Sequence, residues 1–325
     1  MLSARFHPWH VPLFAAKYAW HHARGTPMLV HFEVTMRCNA RCDFCDYWKT
    51  DPSARAQELT SFADAARRFD PLMITFTGGE PLLRRDLEAL VAAVAAAVRL
   101  KYIAVITHGG SLTVERARSL WDAGINQFNI SLDYLDERHD RARGIPGLAA
   151  RIQELVPRLR AAGIDGVRFN TVIKSSNLDQ LMPIVHRASA LGAGVSFSAY
   201  TGLKNGNQAH RPRPEQLAEL DAAIAELLAY KRKRRGVIVN SDHYLRNVPR
   251  WFRGELSEPC RSGRRTIHID PLGQVRRCPD FPSDFHWTAF RRYEPIKCDA
   301  CFYACRGEAQ APLTLSRVRD FVATP

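Results

Sequence analysis

The sequence has 325 residues, of which 46% are hydrophobic and 24% are charged, and these ordinary globular proportions exclude a fibre or a disordered chain. The formal net charge of +13 favours an anionic substrate, partner or membrane surface. No apolar run reaches the roughly 18 residues of a membrane span, and residues 1–25 lack the apolar core of a signal peptide. We therefore expect a cytoplasmic protein whose eight cysteines, in two groups, serve metal binding or catalysis.

Residues 1–26 form an N-terminal extension in which aromatic and basic residues recur at roughly helical spacing. Its large apolar side chains are Phe6, Trp9, Leu13, Phe14, Tyr18 and Trp20. Such a segment either makes a peripheral membrane contact or packs over the bottom of the domain that follows it. The sequence leaves both alternatives open.

Three cysteines, Cys38, Cys42 and Cys45, follow at intervals of four and three residues. Three thiolates can hold a 4Fe-4S cluster and leave one iron open for a further ligand. Two other interpretations are a helix that buries these small side chains on one face and a zinc site that takes a fourth ligand from elsewhere. Asn39 and Asp43 weaken the first of these, because they would dilute an apolar face.

From residue 28 to residue 230, β-rich apolar runs alternate with helical patterns. The predicted strands are Leu29–Thr35, 72–77, Tyr102–Thr107, 127–132, Val167–Ile173 and 195–199. The predicted helices lie near 60–69, 84–99, 113–123, 148–162, 177–190 and 214–230. Six strand–helix units in series predict a parallel sheet with helices outside, either as a barrel or as an open sheet. In both architectures the loops at the carboxyl ends of the strands carry the chemistry.

Two motifs resemble those of the radical SAM superfamily. The first is the cysteine triplet with the aromatic Phe44 before its last member, and the second is Gly78-Gly79-Glu80 after the second strand. Their order and separation fit that family. The resemblance implies an α/β fold, a partial (β/α)6 barrel of the TIM type, in which the cysteine loop follows the first strand.

The resemblance also implies that the open iron chelates S-adenosylmethionine (SAM), whose reductive cleavage gives a 5'-deoxyadenosyl radical. The candidate SAM contacts are Phe44, Gly78, Gly79, Glu80, Ser131, Asp133, Arg143, Asn170 and Ser198. Arg143 suits the SAM carboxylate, because a guanidinium binds a carboxylate bidentately. Relatives often carry asparagine where this chain has His108, so His108 and Glu80 are the candidates for a catalytic role that the motifs leave unassigned.

The helix predicted over 214–230 ends in the basic run 231–235. Basic residues at a helix C-terminus complement the helix dipole, so we interpret the run as a solvated helix end and expect no nucleic acid. Residues 237–240 then predict a further short strand. A helix capped by Ser241 or Asp242 follows it.

From about residue 255 the segments become short, and the five remaining cysteines appear. Cys260, Gly273 and Cys278 resemble the first half of a SPASM or twitch domain, a small cysteine-rich α+β unit with a hairpin turn at 270–273. The resemblance implies an auxiliary 4Fe-4S cluster on Cys260, Cys278, Cys298 and Cys301, with Cys305 as an alternative ligand. A structural zinc ribbon is the competing interpretation. The predicted domains are an extension at 1–26, a radical SAM core at 27–254 and an auxiliary cluster domain at 255–325.

These features favour a radical SAM oxidoreductase that takes hydrogen from a small or lipid-linked anionic metabolite and oxidises the substrate radical through the auxiliary cluster. A flavodoxin- or ferredoxin-type protein would supply the first electron. One alternative is a maturase that crosslinks or oxidises a ribosomally made peptide, against which we count the short stretch of 37 residues before Cys38. Another is a non-enzymatic iron–sulfur or zinc protein that binds nucleic acid with strong salt dependence.

Overall fold

The computed structural model describes residues 10–49, 62–256, 258–312 and 314. Phe6 and Trp9 of the predicted extension lie outside these ranges, as do residues 60 and 61, where one predicted helix begins, and the tail 315–325.

A single sheet of nine strands organises the described chain. The strands are β1 (Leu29–Thr35), β2 (Met73–Gly78), β3 (Tyr102–Thr107), β4 (Gln127–Ser131), β5 (Val167–Ile173), β6 (Gly194–Ala199), β7 (Thr266–Ile269), β8 (Gln274–Arg276) and β9 (Phe285–His286). The helices are α1 (His10–Arg24), α2 (Ala63–Phe69), α3 (Leu87–Ala97), α4 (Val114–Ala123), α5 (Glu137–Arg143), α6 (Leu148–Ala161), α7 (Leu181–Leu191), α8 (Leu217–Lys233), α9 (Asp242–Phe252) and α10 (Ala304–Gln310). The strand order is β6-β5-β4-β3-β2-β1-β7-β8-β9, and β1 to β6 are parallel. This confirms the predicted partial (β/α)6 barrel.

Each parallel strand presents one row of side chains to the helices and another to the inside of the barrel, because neighbours along a strand point to opposite faces. The helix side is apolar, and its fully buried aromatic residues are Phe32, Phe76, Phe128, Phe169 and Phe197. The alternate residues of the same strands include Glu33, Gln127 and Arg168. The barrel therefore has a polar interior, which offers hydrogen-bonding groups to a ligand.

The cysteine-rich region continues this sheet beyond β1. Phe32 of β1 pairs with Ile269 of β7 in parallel, and β7, β8 and β9 follow as antiparallel neighbours. The predicted hairpin turn is confirmed, since Gly273 N donates to Asp270 O (2.9 Å) and Gly273 has a φ of +82°. The domain boundaries after residues 26 and 254 stay predictions.

Helix α1 packs beneath the sheet. Lys17 Nζ donates to Pro71 O (3.2 Å) and to Leu100 O (2.9 Å), which come just before β2 and β3. The same ammonium pairs with Asp70 at 2.7 Å. The helix therefore lies against the end of the barrel opposite to the carboxyl ends of the strands. Among the described residues, no helix is long and apolar enough to cross a membrane.

Residues 237–240, predicted as a strand, form only a single bridge, from Ile238 to Val195. The side chain of Asn240 takes the place of a backbone partner there. Its Oδ1 accepts from Phe197 N (2.6 Å) and its Nδ2 donates to Phe197 O (3.0 Å). The Asn240 side chain thus satisfies the backbone N–H and C=O of Phe197 on β6, so no further strand pairing is required there.

Helix α5 is a short helix that the sequence analysis did not predict. The Asp136 carboxylate caps it by accepting from Arg138 N (3.0 Å), and Gly144 ends it with a φ of +65°. An aspartate before the helix and a glycine after it are the signals that could have revealed it. The helix matters because its last residue is Arg143.

Gly78 and Gly79 join the end of β2 to the segment that follows β1. A Cβ on Gly79 would overlap Arg37 O, and one on Gly78, whose φ is +117°, would overlap Thr35 O. Gly79 N donates to Thr35 O and Glu80 N donates to Arg37 O, both at 2.8 Å. Glycine is required at both positions because their backbone packs directly against the end of β1 and the start of the cysteine loop.

We predict that Gly79→Ala lowers the free energy of unfolding by about 1–3 kcal/mol, because the new methyl group meets backbone that cannot move freely. It should also lower the iron bound after anaerobic reconstitution. The matched control is Gly147→Ala, where φ is +71° and nothing lies within 4 Å of the new Cβ, so that only backbone strain of about 1–2 kcal/mol remains. A Gly79→Ala protein that binds full iron and melts no lower than the control would contradict this account.

Candidate active site

The cysteine loop, residues 36–46, extends beyond the end of β1 and contains no helix. This excludes the interpretation of Cys38, Cys42 and Cys45 as one face of a buried helix. Cys42 is buried and the other two are half-buried. Among the described residues, no three His, Cys, Asp or Glu side chains lie as close together as the ligands of a single metal ion. Thiolates on a cubane bind different irons, so they stand farther apart than ligands that share one ion.

Hydrogen bonds from neighbouring elements hold the cysteine loop in place. Arg41 N donates to Arg143 O (2.8 Å) at the end of α5, and Asn39 Oδ1 lies 2.8 Å from His108 Nε2, just after β3. Burial raises the pKa of the Cys38 thiol to about 12, so this thiol is protonated at neutral pH. Iron binding at this loop would therefore release protons.

Glu80 and His108, the two candidates for a catalytic role, are both engaged within the protein. The buried carboxylate of Glu80 accepts from Thr107 Oγ1 (2.8 Å) and from His108 N (2.9 Å). Burial lowers the pKa of His108, and its Nδ1 accepts from Gly110 N (2.9 Å), so the ring proton is on Nε2, which faces Asn39. These contacts suit residues that position the cysteine loop.

A buried group of charges lies beside the loop. Arg143 Nη2 donates to Asp133 Oδ2 (2.8 Å), and Lys174 Nζ lies 3.5 Å from the same oxygen. Burial alone would raise the pKa of Asp133, but Lys174 and Arg143 hold it well below its usual range. Arg143 also reaches Cys42 Sγ (3.8 Å), and the two cations lie 4.9 and 4.7 Å from the centre of the Phe44 ring. Three predicted SAM contacts, Phe44, Asp133 and Arg143, are thus brought together.

Lys174 was not among the residues singled out from the sequence. It is fully buried, and neither its ammonium nor Nε of Arg143 has a hydrogen-bond partner within the described ranges. Two cations therefore share the single carboxylate of Asp133, an arrangement that is costly to bury unless a further anion completes it. The carboxylate of SAM fits this need. A lysine directly after the apolar strand β5 was the signal available in the sequence.

The other predicted SAM contacts are more dispersed. Ser131, the last residue of β4, pairs with Asn170 in the middle of β5, and both are half-buried. Ser198 on β6 instead accepts a hydrogen bond from Ala304 N (3.3 Å), which links β6 to α10. Ser198 therefore contacts the cysteine-rich region.

All five C-terminal cysteines line one cavity of about 140 Å³. They are Cys260, Cys278, Cys298, Cys301 and Cys305. Burial raises the pKa of Cys278 to about 11 and that of Cys301 to about 12. Four thiolates complete a 4Fe-4S cluster, so this donor set fits an auxiliary cluster and includes Cys305, whose role the sequence left open.

A larger cavity, of about 320 Å³, lies between the two cysteine groups. Its lining residues are Met36, Asp46, Tyr47, Leu203, Lys204, Arg276, Pro279, Asp280, Phe281 and Pro282. Lys204 Nζ donates to Pro279 O (3.0 Å) and lies 3.3 Å from Asp280 Oδ1. We call this space the central cavity. It shares four lining residues with the cavity of the five cysteines, so a ligand in it would lie near both groups.

Comparison with known families decides the assignment. Residues 32–188 match the model of the family described as the radical SAM superfamily. The chain belongs to the radical SAM superfamily. This membership confirms the recognition made from the cysteine and glycine motifs, and with it 4Fe-4S clusters and SAM as cofactors.

This radical SAM chain is 33% identical over 258 residues to a PqqA peptide cyclase of Methylocella silvestris. The matched stretch covers 76% of this chain and 66%, just under two thirds, of that relative. It is 37% identical over 174 residues to a GTP 3',8-cyclase of Marinobacter nauticus, which covers 52% of each chain. Among solved structures, Streptococcus suis SuiB bound to the precursor peptide SuiA has a TM-score of 0.61 at 16% identity, covering 85% of this chain and 66% of that one. The last likeness shows the fold.

The leading prediction on the substrate is wrong. The relative that matches three quarters of this chain is named a peptide cyclase, and this overturns a small or lipid-linked anionic metabolite as substrate and partner. The net charge was a misleading guide to the substrate, because several basic side chains donate hydrogen bonds to backbone carbonyls of the protein itself. For example, Arg116 donates to Leu82 O (3.0 Å) and to Arg84 O (2.7 Å), and Lys231 donates to Asn240 O (2.7 Å).

We predict that Lys174→Gln weakens SAM binding about tenfold or more, because a charge-assisted hydrogen bond to a carboxylate is lost. The same change should not lower the melting temperature of the SAM-free protein, because it removes a buried ammonium without a hydrogen bond. Anaerobic equilibrium dialysis with SAM and with decarboxylated SAM measures the effect. Decarboxylated SAM should bind the variant and the parent equally.

The matched control for this prediction is Lys231→Gln, since Lys231 is equally buried but donates to Asn240 O and Asp242 Oδ1. The control should lose stability and keep its SAM affinity. Equal losses of affinity for SAM and for decarboxylated SAM in Lys174→Gln would contradict a contact between Lys174 and the carboxylate.

Proposed function

We propose that this protein is a radical SAM oxidoreductase that forms a new bond within a peptide. The observation that carries the proposal is the central cavity, which adjoins the cysteine loop on one side and the C-terminal cysteines on the other. The peptide cyclase relative supports a peptide as the substrate. This is the alternative that the sequence analysis placed second.

Each end of the site has a separate task in this proposal. Cys38, Cys42 and Cys45 hold one cluster, while Arg143 and Lys174 bind and orient the SAM carboxylate. When bound, cluster and SAM together supply a 5'-deoxyadenosyl radical, which takes a hydrogen atom from an unactivated carbon. The C-terminal cysteines hold a second, fully ligated cluster, which suits acceptance of an electron from the substrate.

The central cavity has the mixed character that a peptide side chain needs. Leu203 and Phe281 line it and remain 42% and 39% exposed, so they offer apolar contacts at its edge. Tyr47, Lys204 and Asp280 add polar groups to the lining of the same cavity. An apolar rim with a few fixed polar groups orients a ligand and excludes water around it.

We predict that the anaerobically reconstituted, reduced protein converts a peptide encoded beside its gene into a product lighter by two hydrogen atoms. Each product formed should release one 5'-deoxyadenosine, because one hydrogen atom leaves the substrate by that route. Mass spectrometry of the peptide and chromatography of the nucleoside measure both amounts. Release of deoxyadenosine with every such peptide left unchanged would contradict a peptide substrate.

Two variants distinguish the roles of the cysteine loop and of the C-terminal cysteines. The triple variant Cys38→Ala, Cys42→Ala, Cys45→Ala should abolish deoxyadenosine release, because the iron that binds SAM is lost. Cys278→Ala should keep most of this release and lose the oxidised peptide. If the triple variant still released deoxyadenosine, the assignment of the cysteine loop would be wrong.

A further inference from the structure

A buried polar group lies where β1 meets β7, next to the central cavity. The parallel pairing of these strands places His31 opposite His268, and the two rings stack with their centres 4.3 Å apart. Glu33 on β1 and Arg276 on β8 complete the group. Glu33 and His268 are only 1% and 5% exposed, so water does not compete for their contacts.

The contacts of His268 fix which of its nitrogens is basic. Burial lowers the pKa of His268 to about 3, so the ring is neutral at pH 7. Its Nδ1 lies 3.1 Å from Glu33 Oε1, and a carboxylate only accepts, so Nδ1 carries the proton. The lone pair is then on Nε2, which has no hydrogen-bond partner within the described ranges. Arg276 pairs with the other oxygen of Glu33.

The same group borders the central cavity. Arg276 lines the cavity and contacts Glu33 with its guanidinium. The charges of Lys204 and Asp280, two further lining residues, both act on the pKa of His268. The groups that face His268 are therefore Glu33 and His31 from β1, together with these three charged residues.

We propose that Glu33 and His268 form a proton-accepting pair beside the central cavity, next to Arg276 of its lining. His268 Nε2 takes the proton that the substrate loses when the new bond is completed, and Glu33 positions the ring and stabilises the imidazolium that results. This inference rests on the proposed oxidation of a peptide.

The balance of that reaction requires such a group. One substrate hydrogen leaves as an atom, which becomes part of 5'-deoxyadenosine, and the substrate radical then forms its new bond. Restoring a closed-shell product removes one more electron and one more proton. The electron goes to a one-electron oxidant of the iron–sulfur class at the C-terminal cysteines, and the proton needs a base. A carbon acid made by oxidation of a radical is strongly acidic, so a neutral histidine of low basicity suffices.

Other bases near the cavity fit this role less well. Asp280 already pairs with Lys204, at 3.3 Å. His108 uses both ring nitrogens within the protein. His268 combines a fixed tautomer with an unused lone pair, and that combination marks a general base in other enzymes.

The first test uses the reconstituted enzyme and the peptide that it oxidises in the assay described above. His268→Gln should lower formation of oxidised peptide about a hundredfold, the scale of a lost general base, while peptide-dependent deoxyadenosine release falls far less. Imidazole should restore product in His268→Ala. The control is His186→Gln on the exposed side of α7, which should match the parent. Parallel loss of product and deoxyadenosine in a folded His268→Gln protein would overturn the proposal.

The second test needs no peptide, so it separates this inference from the proposed function. Histidine labelled with 15N in the reconstituted protein should show the signals of a neutral Nδ1–H tautomer for His268 at pH 7, assigned by their loss in His268→Gln. Glu33→Gln should shift these signals and lower product in the first test, whereas Glu33→Asp should restore part of the product. An Nε2–H tautomer or an imidazolium for His268 would overturn the proposal even if no peptide is oxidised.

Discussion

Two buried cations, Arg143 and Lys174, share the carboxylate of Asp133, and the rest of the site depends on that imbalance. Water cannot solvate these groups, and one carboxylate neutralises only one of the two positive charges. A second carboxylate would neutralise this excess charge, and the amino acid end of SAM carries one. The same guanidinium reaches Cys42, and Arg143 O accepts from Arg41 N, so the charge group and the cysteine loop are built as one unit.

The parallel contact between β1 and β7 brings the second cysteine group to the first. Because the C-terminal strands extend the barrel sheet, the cavity of the five cysteines stands beside the central cavity, on the side away from the cysteine loop. A substrate held there would have hydrogen removal at one end and electron removal at the other. The proposed peptide substrate suits this geometry, because Leu203 and Phe281 offer exposed apolar surface in the lining of the cavity.

Much of this architecture could be predicted from local patterns. Six apolar runs with intervening helices specify the parallel sheet, and the cysteine spacings specify where metal chemistry lies. The features that the sequence did not reveal are contacts between residues that lie far apart in the chain. Lys174 looks in the sequence like any lysine at a strand end, and only the fold places it beside Asp133 and Phe44. Glu33 and His268, which are in contact, are more than two hundred residues apart in the chain. Net charge also misled, since it does not reveal which basic groups are already paired. The proposed substrate class rests on the name of a relative, because no side chain in the sequence marks it.

We propose that the cluster on Cys38, Cys42 and Cys45 has an open iron to which SAM binds beside Arg143 and Lys174. Electron paramagnetic resonance of the anaerobically reduced protein, with and without SAM, tests it most directly. If SAM binds to this iron, the reduced protein should show a cubane signal whose g values change when SAM is added. A protein that holds no iron, or a signal that is the same with and without SAM, would contradict it.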